Sequence, residues 1–370
     1  MKVLIAGGGT AGHVFPAIAL AERLSAEPRV EVAFAGTSGG QEARLVPAAG
    51  FAFEVVEARP LRRELSVDAL TAPLAAAHSV AACRPLVERA DVVVGMGGYV
   101  SLPVGLAAAR AGRPLVLHEQ NAVPGLANRV LARWARVVCL SFAEAGRRLP
   151  KRARAVVTGN PVRSRVLEAA RDRERLAAAA AGELGLEPGL RTLVIFGGSQ
   201  GALRLNDAAA QAIPTLLARR SDLQVLLLTG PAHERAAVGA LGGCARVRVV
   251  GFLERMELAY AAADLVVARA GATTCAEVSV CGIPAVLVPY PYATGRHQDA
   301  NARALERAGA AVVVPDAELT PERLAWVVLE LLADPARLSA MARGMRSWSR
   351  PDAAEALARE VLSAAGGGRG

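Results

Sequence analysis

The sequence predicts an α/β protein made of two doubly wound parallel-sheet halves, and three observations carry that prediction. Short β-branched runs alternate with helical patterns along the whole chain. The strand, glycine loop and helix of Lys2 to Leu24 (KVLIAGGGTAGHVFPAIALAERL) return at Thr192 to Ile213 (TLVIFGGSQGALRLNDAAAQAI). The ends of the halves also correspond. Ala90-Asp91-Val92-Val93-Val94 leads through Gly97-Gly98 and a helix to Gly112-Arg113-Pro114-Leu115-Val116-Leu117, and Ala263-Asp264-Leu265-Val266-Val267 leads through Ala270-Gly271 and a helix to Gly282-Ile283-Pro284-Ala285-Val286-Leu287. Such alternation is the mark of parallel βαβ units. Ligands of these sheets lie at the carboxyl ends of the strands, so chemistry is expected in a cleft between two such domains facing each other.

The length of 370 residues fits two or three domains at roughly 150 residues each. Gly159-Asn160-Pro161 punctuates the pattern, which sets domains at 1–160 and 161–345. Arg171 to Gly182 reads as a surface helix. A final helix within 346–365 is expected to cross back to the first domain, and the glycine-rich 366–370 to be a disordered tail.

The hydrophobic fraction of 53% rests largely on Ala and Val, with 4% aromatics, which is a globular composition. No apolar run reaches the ~20 residues of a bilayer span. Met1 to Ala6 breaks into glycines and reads as a first strand rather than a signal peptide, so a cytoplasmic protein is expected. Cys83, Cys139, Cys244, Cys275 and Cys281 are odd in number and scattered among apolar residues, which fits reduced core packing rather than disulfides or a metal site. The net charge of +9 suits nucleic acid, an anionic membrane face or an anionic substrate. No basic patch interleaved with aromatics supports nucleic acid.

Gly7-Gly8-Gly9-Thr10-Ala11-Gly12 satisfies G-x-G-x-x-G, a loop whose backbone can approach a pyrophosphate at a helix N-terminus. The following strand, Val30 to Ala35, ends in Gly36-Thr37 instead of a ribose-binding acid, which removes the main support for a nicotinamide cofactor. Gly197-Gly198-Ser199-Gln200-Gly201 lacks the Gly-Lys-Ser/Thr ending of a nucleotide-hydrolysing loop. The plain alternative for either loop is a tight turn without a ligand. No Asp-x-Asp occurs, so no carboxylate-held metal and no cofactor is expected. A leaving diphosphate would be neutralised by helix N-termini, hydroxyls and arginine, the candidates being Ser199, Thr273, Thr274, Arg163 and Arg269. Glu277, one turn beyond Thr273-Thr274, can accept from ribose hydroxyls or act as a partner of the helix dipole. His13, where a loop enters a helix, can serve as a general base or be structural.

Together, Gly8-Gly9-Thr10-Ala11-Gly12-His13-Val14-Phe15-Pro16, Gly95-Met96-Gly97-Gly98-Tyr99-Val100-Ser101, His118-Glu119-Gln120-Asn121, Gly159-Asn160-Pro161-Val162-Arg163 and Gly197-Gly198-Ser199-Gln200-Gly201 resemble the MurG family. Its members are the UDP-GlcNAc:lipid-linked muramyl-pentapeptide N-acetylglucosaminyltransferases of glycosyltransferase family 28. Arg269-Ala270-Gly271-Ala272-Thr273, Glu277, His297-Gln298 and Asn301-Ala302 continue the resemblance, which covers nearly the whole chain in order.

The resemblance implies a GT-B fold, two Rossmann-like doubly wound domains facing across a cleft, with the donor mostly on the second and the acceptor on the first. It implies that Leu253 meets uracil through its backbone, that Glu277 binds ribose, and that Ser199 and Ala272, Thr273, Thr274, Cys275 and Ala276 hold the diphosphate. Gln298 and Asn121 would read the sugar, Arg163 and Arg269 would line the donor site, and Thr10, Ala11 and Gly12 would face sugar and diphosphate. Tyr99 and Asn128 would stand on the acceptor side, with His13 at the position of the base. The implied reaction inverts GlcNAc onto the C4 hydroxyl of MurNAc in undecaprenyl-diphospho-MurNAc-pentapeptide. Ala11 and Ala276 depart from the family's glycine and serine.

The same resemblance implies peripheral contact with the anionic inner-membrane surface on its cytoplasmic face, alongside other cell-wall synthesis proteins. Arg62, Arg63, Leu74, Val80, Arg84 and Arg89 form the expected patch, although an ordinary buried helix fits Leu70 to Ala90 equally well. Three other readings are weighed: a related lipid glycosyltransferase, a sugar-nucleotide epimerase of the same fold, and a non-catalytic scaffold. Intact His13, Glu277 and Gln298 argue against the last.

Overall fold

The computed structural model describes residues 1–57, 68–198 and 201–367, the side chains of 68–76 excepted. It divides into two compact units, one formed by Met1–Arg163 with the segment from Pro351, the other by Ser164–Arg350.

The first unit runs β1 (Lys2–Ala6), α1 (Ala11–Ser25), β2 (Glu31–Gly36), α2 (Glu42–Ala48), β3 (Ala52–Val55), α3 (Asp68–Glu88), β4 (Val92–Gly95), α4 (Gly98–Arg110), β5 (Leu115–Glu119), α5 (Leu126–Leu131), β6 (Val137–Leu140) and β7 (Ala155–Val157). Its strands form one sheet in the order β3-β2-β1-β4-β5-β6-β7, parallel throughout. Val3 lies between Val32 and Val92, so β1 is central, and Val3, Leu4, Ile5 and Ala6 are all buried. That is why the strand reads as a continuous apolar run and not an alternation. One face packs Val14, Ile18, Leu20 and Leu24 of α1 against the sheet; the other packs Val80, Cys83 and Val87 of α3 with Val100 and Val104 of α4. The order reverses between β1 and β4, and the loops leaving those two strands carry Gly7-Gly8-Gly9 and Gly97-Gly98.

The second unit continues with α6 (Ser164–Arg171), α7 (Arg173–Leu184), β8 (Arg191–Phe196), α8 (Leu203–Arg219), β9 (Leu223–Leu228), α9 (Glu234–Leu241), β10 (Val247–Val250), α10 (Met256–Ala262), β11 (Ala263–Ala268), α11 (Ala272–Val280), β12 (Ala285–Leu287), α12 (His297–Arg307), β13 (Ala311–Val313), α13 (Pro321–Leu332) and α14 (Pro335–Trp348). The sheet order is β10-β9-β8-β11-β12-β13, again parallel, with its reversal between β8 and β11. Leu205, Ala209, Ile213, Leu324, Val328 and Met341 close one face.

The last helix, α15 (Ala353–Gly366), lies in the first unit, with Leu357, Ala358 and Val361 inside the α1-side core. Arg23 of α1 ion-pairs with Glu355. The expected boundaries shift as a result. Arg163 belongs to the first unit, its guanidinium 4.2 Å over the Phe15 ring. The boundary expected after residue 345 falls inside α14, whose Met345 is fully buried. Gly366 ends α15 and the Gly367 carbonyl accepts from Arg136 at 3.5 Å, so two of the five expected tail residues are described, while 368–370 lie outside the described residues.

All five cysteines are free, with Cys83, Cys139 and Cys275 buried. Among the described residues, no helix is long and apolar enough to cross a membrane, and no group of His, Cys, Asp or Glu is placed to hold a metal ion.

Candidate active site

In the first unit the reversal between β1 and β4 brings two glycine loops into contact. A Cβ on Gly98 would stand 2.5 Å from the Gly8 carbonyl oxygen, and Gly98 itself has φ +78°. Only glycine allows that approach. His13 sits in the first turn of α1, and its Nδ1 lies 3.0 Å from Thr10 Oγ1. A Cβ on Gly97 would come 3.2 Å from His13 Nε2 and 3.5 Å from Gln120 Oε1, so the second glycine loop clears the room beside the imidazole. Ala11, which departs from the family's glycine, opens α1 without a positive φ, so the backbone there accepts a methyl.

A buried polar network lies behind. Gln120 donates its amide to Met96 O at 2.7 Å and to His118 Nδ1 at 3.1 Å, leaving His118 Nε2–H to donate to Gly159 O at 3.0 Å. Burial pushes the His118 imidazole down to about 4, against the opposing bond to Gly159. Glu119, at the end of β5, accepts from the backbone of Asn121 and Gly125 and from the Asn128 side chain at 2.8 Å. Burial pushes its carboxyl above the usual range while those bonds pull it down. Glu119 thus shapes the loop that carries Asn121. Asn128 is corrected: it is 1% exposed and tied to Glu119 and His118 O, so it supports the loop and offers no surface to an acceptor. Tyr99 is half-buried, its hydroxyl 2.9 Å from Thr37 Oγ1.

In the second unit the carboxyl ends of β8, β11 and β12 carry the matching groups. Gly271 caps α11, and Thr273 and Thr274 stand half-buried in its first turn, where backbone N–H groups and the positive dipole end favour an anion. Glu277, further along α11, is buried and accepts from the Tyr260 hydroxyl at 2.9 Å. Gln298, in the first turn of α12, accepts from Tyr290 N at 2.9 Å through its Oε1, which turns its amide nitrogen away from that bond. Asn301 donates to Ala270 O at 3.1 Å and pins the loop before α11. Leu253 is half-buried beyond β10, and Ser199 lies outside the described residues.

Two donor-site expectations change. Arg269 is buried and gives Nη1 to Asp316 at 2.6 Å, to Val288 O at 3.2 Å and to Pro289 O at 3.4 Å. Asp316 pairs with the Arg269 charge from inside, which makes Arg269 a strut under the loop, while the buried Arg269 Nε has no partner among the described residues. Cys275 is fully buried, its N–H bonds Gly271 O, and desolvation pushes its thiol up to about 12. Its N–H is thus engaged within the helix start and its thiol lies in the core. Ala276 is buried as well.

One residue of the expected membrane patch is corrected. Val80 is buried in the sheet-facing core, so it cannot touch lipid. Arg84 and Arg89 are exposed, paired with Glu88 at 2.6 Å and Glu54 at 3.3 Å. Arg62, Arg63 and the Leu74 side chain lie outside the described residues.

Comparison with known proteins matches this geometry to a family. The model of the glycosyltransferase family 28 N-terminal domain matches residues 3–140, and that of the family's C-terminal domain matches residues 192–357. A relative from Moorella thermoacetica named UDP-N-acetylglucosamine–N-acetylmuramyl-(pentapeptide) pyrophosphoryl-undecaprenol N-acetylglucosamine transferase is 44% identical, with 98% of each chain covered. The chain belongs to the MurG branch of glycosyltransferase family 28.

Family 28 accounts for the two parallel-sheet units, which are those of a GT-B fold. The crystal structure of MurG from Acinetobacter baumannii is similar at 30% identity and a TM-score of 0.77, covering 98% of this chain and 99% of that one. The UDP-GlcNAc 2-epimerase of Neisseria meningitidis reaches a TM-score of 0.68 over 98% and 100% of the chains, but at 13% identity that likeness is one of fold alone. Within this family-28 site, Tyr260, Asp316 and the role of Glu119 escape a reading of the sequence. Glu119 stands inside a quoted motif, which is a signal of place but not of function. Tyr260 lies 17 residues before its partner, and no local pattern links them.

Proposed function

We propose that this chain transfers N-acetylglucosamine from UDP-GlcNAc to the C4 hydroxyl of the MurNAc in undecaprenyl-diphospho-muramyl-pentapeptide, converting lipid I to lipid II with inversion at the anomeric carbon. The observation that carries the reading is the end-to-end match, through both family-28 domains, to relatives named for that reaction.

The donor is assigned to the second unit. Its uracil meets the backbone of Leu253 and its ribose the Glu277 carboxylate. Its diphosphate meets Ser199, Thr273, Thr274 and the α11 N-terminus, where developing negative charge is stabilised by fixed dipoles. Gln298 and Asn121 read the sugar hydroxyls. The acceptor is assigned to the first unit, beside Tyr99 and His13. With His13 Nδ1–H donated to Thr10 Oγ1, Nε2 keeps its lone pair and takes the proton of the attacking hydroxyl. The O4–C1 bond forms as the bond from C1 to the β-phosphate oxygen breaks, and UDP leaves with that electron pair. A polyprenyl-anchored acceptor supports peripheral residence at the cytoplasmic face of the inner membrane, among other cell-wall synthesis proteins.

The test is UDP release from UDP-GlcNAc with and without a short-chain muramyl-pentapeptide lipid, with UDP-Gal as control. Release that needs the acceptor and selects GlcNAc is expected. Absence of any UDP binding sinks the reading.

A further inference from the structure

The first glycine loop already holds an anion, and it belongs to the protein. Glu42, at the start of α2, is 1% exposed. Its Oε2 accepts from Gly9 N at 2.9 Å, and its Oε1 accepts from Thr37 N at 3.1 Å and Thr37 Oγ1 at 2.9 Å. Among the described residues no lysine or arginine pairs with it. The chain clears space for this side chain: a Cβ on Gly8 would stand 2.3 Å from Oε1, one on Gly40 2.2 Å from it, and one on Gly36 2.5 Å from Cγ. A carboxylate bonded by loop N–H groups is the arrangement a glycine loop offers to a phosphate. Gly9 N–H is therefore engaged without any ligand.

Two arms leave Glu42. One runs through Gly9 into Thr10 and its partner His13. The other runs through Thr37 Oγ1 to the Tyr99 hydroxyl at 2.9 Å, and the Tyr99 ring returns to Gly9, where a Cβ would meet Cε1 at 3.0 Å. The loops after β1, β2 and β4, three neighbouring strands, are thus tied at one carboxylate.

We infer that Glu42 is a positioning residue for acceptor-side catalysis, an internal carboxylate that stands where a glycine loop would take a phosphate and fixes His13 and Tyr99 together. The inference rests on the transferase reading. The charge and both oxygens matter. A glutamine amide would set a donor against either the Gly9 N–H or the Thr37 N–H, so the isosteric change breaks one arm.

The experiment uses full-length Glu42→Gln and Glu42→Ala proteins, each checked for folding by thermal melt. Acceptor-dependent kcat should fall about 10- to 100-fold, as loss of a charge-assisted bond predicts. The KM for UDP-GlcNAc and the affinity for UDP should stay within about twofold, because the groups assigned to UDP sit on the other unit and Asn121, the sugar contact on this one, is held by Glu119 and not by Glu42. Formate should restore part of the lost turnover in Glu42→Ala, where it can occupy the vacated place, and none in Glu42→Gln. Wild-type kcat in both variants, or a donor affinity that falls along with kcat, or failure of formate to restore a folded Glu42→Ala protein, would each overturn the inference. The His13 imidazole resonances give a readout that needs no turnover. They should move in Glu42→Gln, and unmoved resonances overturn the positioning role. If wild type itself releases no UDP when acceptor is added while those resonances do move, the transferase reading fails and the clamp stands.

Discussion

The Tyr260 hydroxyl donates to the Glu277 carboxylate at 2.9 Å, with both side chains buried in the second unit. Tyr260 is itself held edge-on by Phe196 of β8, ring centroids 6.1 Å apart, so the orientation of Glu277 is set by packing that reaches the sheet. A carboxylate aimed in advance loses less entropy on meeting two ribose hydroxyls.

Tyr260→Phe should therefore raise the KM for UDP-GlcNAc about tenfold with little change in kcat, the pattern of lost ground-state binding. Glu277→Ala should cost more on the same axis. Steady-state kinetics with varied donor check both, and a kcat loss at constant KM would count against a ribose role.

His13→Ala should lower turnover about 10²- to 10⁴-fold, the range of general-base contributions. Calorimetric UDP-GlcNAc affinity should hold. A collapse of donor affinity in that variant would show the imidazole to be a binding group and not the base.

Arg269→Met leaves Asp316 buried with its main partner gone. Among the described residues only Arg204, 3.6 Å away and half exposed, remains paired with it. Unfolding free energy should drop by about 3–5 kcal/mol. The double replacement Arg269→Met/Asp316→Leu should recover much of that loss. Thermal melts of the pair separate a strut from a phosphate ligand, since a ligand role predicts no rescue.

His118 gives the fold a pH dependence. Its imidazole sits at about 4 in the folded chain against the 6.5 of a solvated imidazole, so between those limits the unfolded chain binds the extra proton. Stability rises with pH across that window, and acidification removes about 3 kcal/mol of it, counted from His118 alone. Urea unfolding at several pH values should show this slope in wild type and a flatter one in His118→Gln. Comparing the two isolates His118 from Glu119, whose raised carboxyl acts in the opposite direction.

The alternation of strands, glycine loops and helices was legible because central parallel strands are apolar on both faces, as β1 and β8 are, and because glycine marks the turns. His13 and Thr273 follow from that plan, since each stands at a strand-to-helix junction, and Glu277 lies one turn further along the helix that Thr273 opens. The reading went astray where burial is not written in local pattern. Along α3, alanine is compatible with core and surface alike, so nothing marked Val80 as inward-facing. The six residues of α5 are too few to show a periodicity, so no local pattern marks Asn128 as buried. Arg269 and Asp316 meet only because β11 and β13 flank the same strand, a through-space fact that sequence distance hides.

The place of α15 has a consequence for biosynthesis. Leu357, Ala358 and Val361 complete a core whose other members, Ile5, Val14 and Leu24 among them, leave the ribosome more than three hundred residues earlier. Nascent domains ordinarily fold in the order they emerge. Here the unit that is begun first is finished last. The segment through Arg350 can close its own core while the amino-terminal sheet still waits for its final helix. During translation, the second unit is therefore complete before the platform that carries His13.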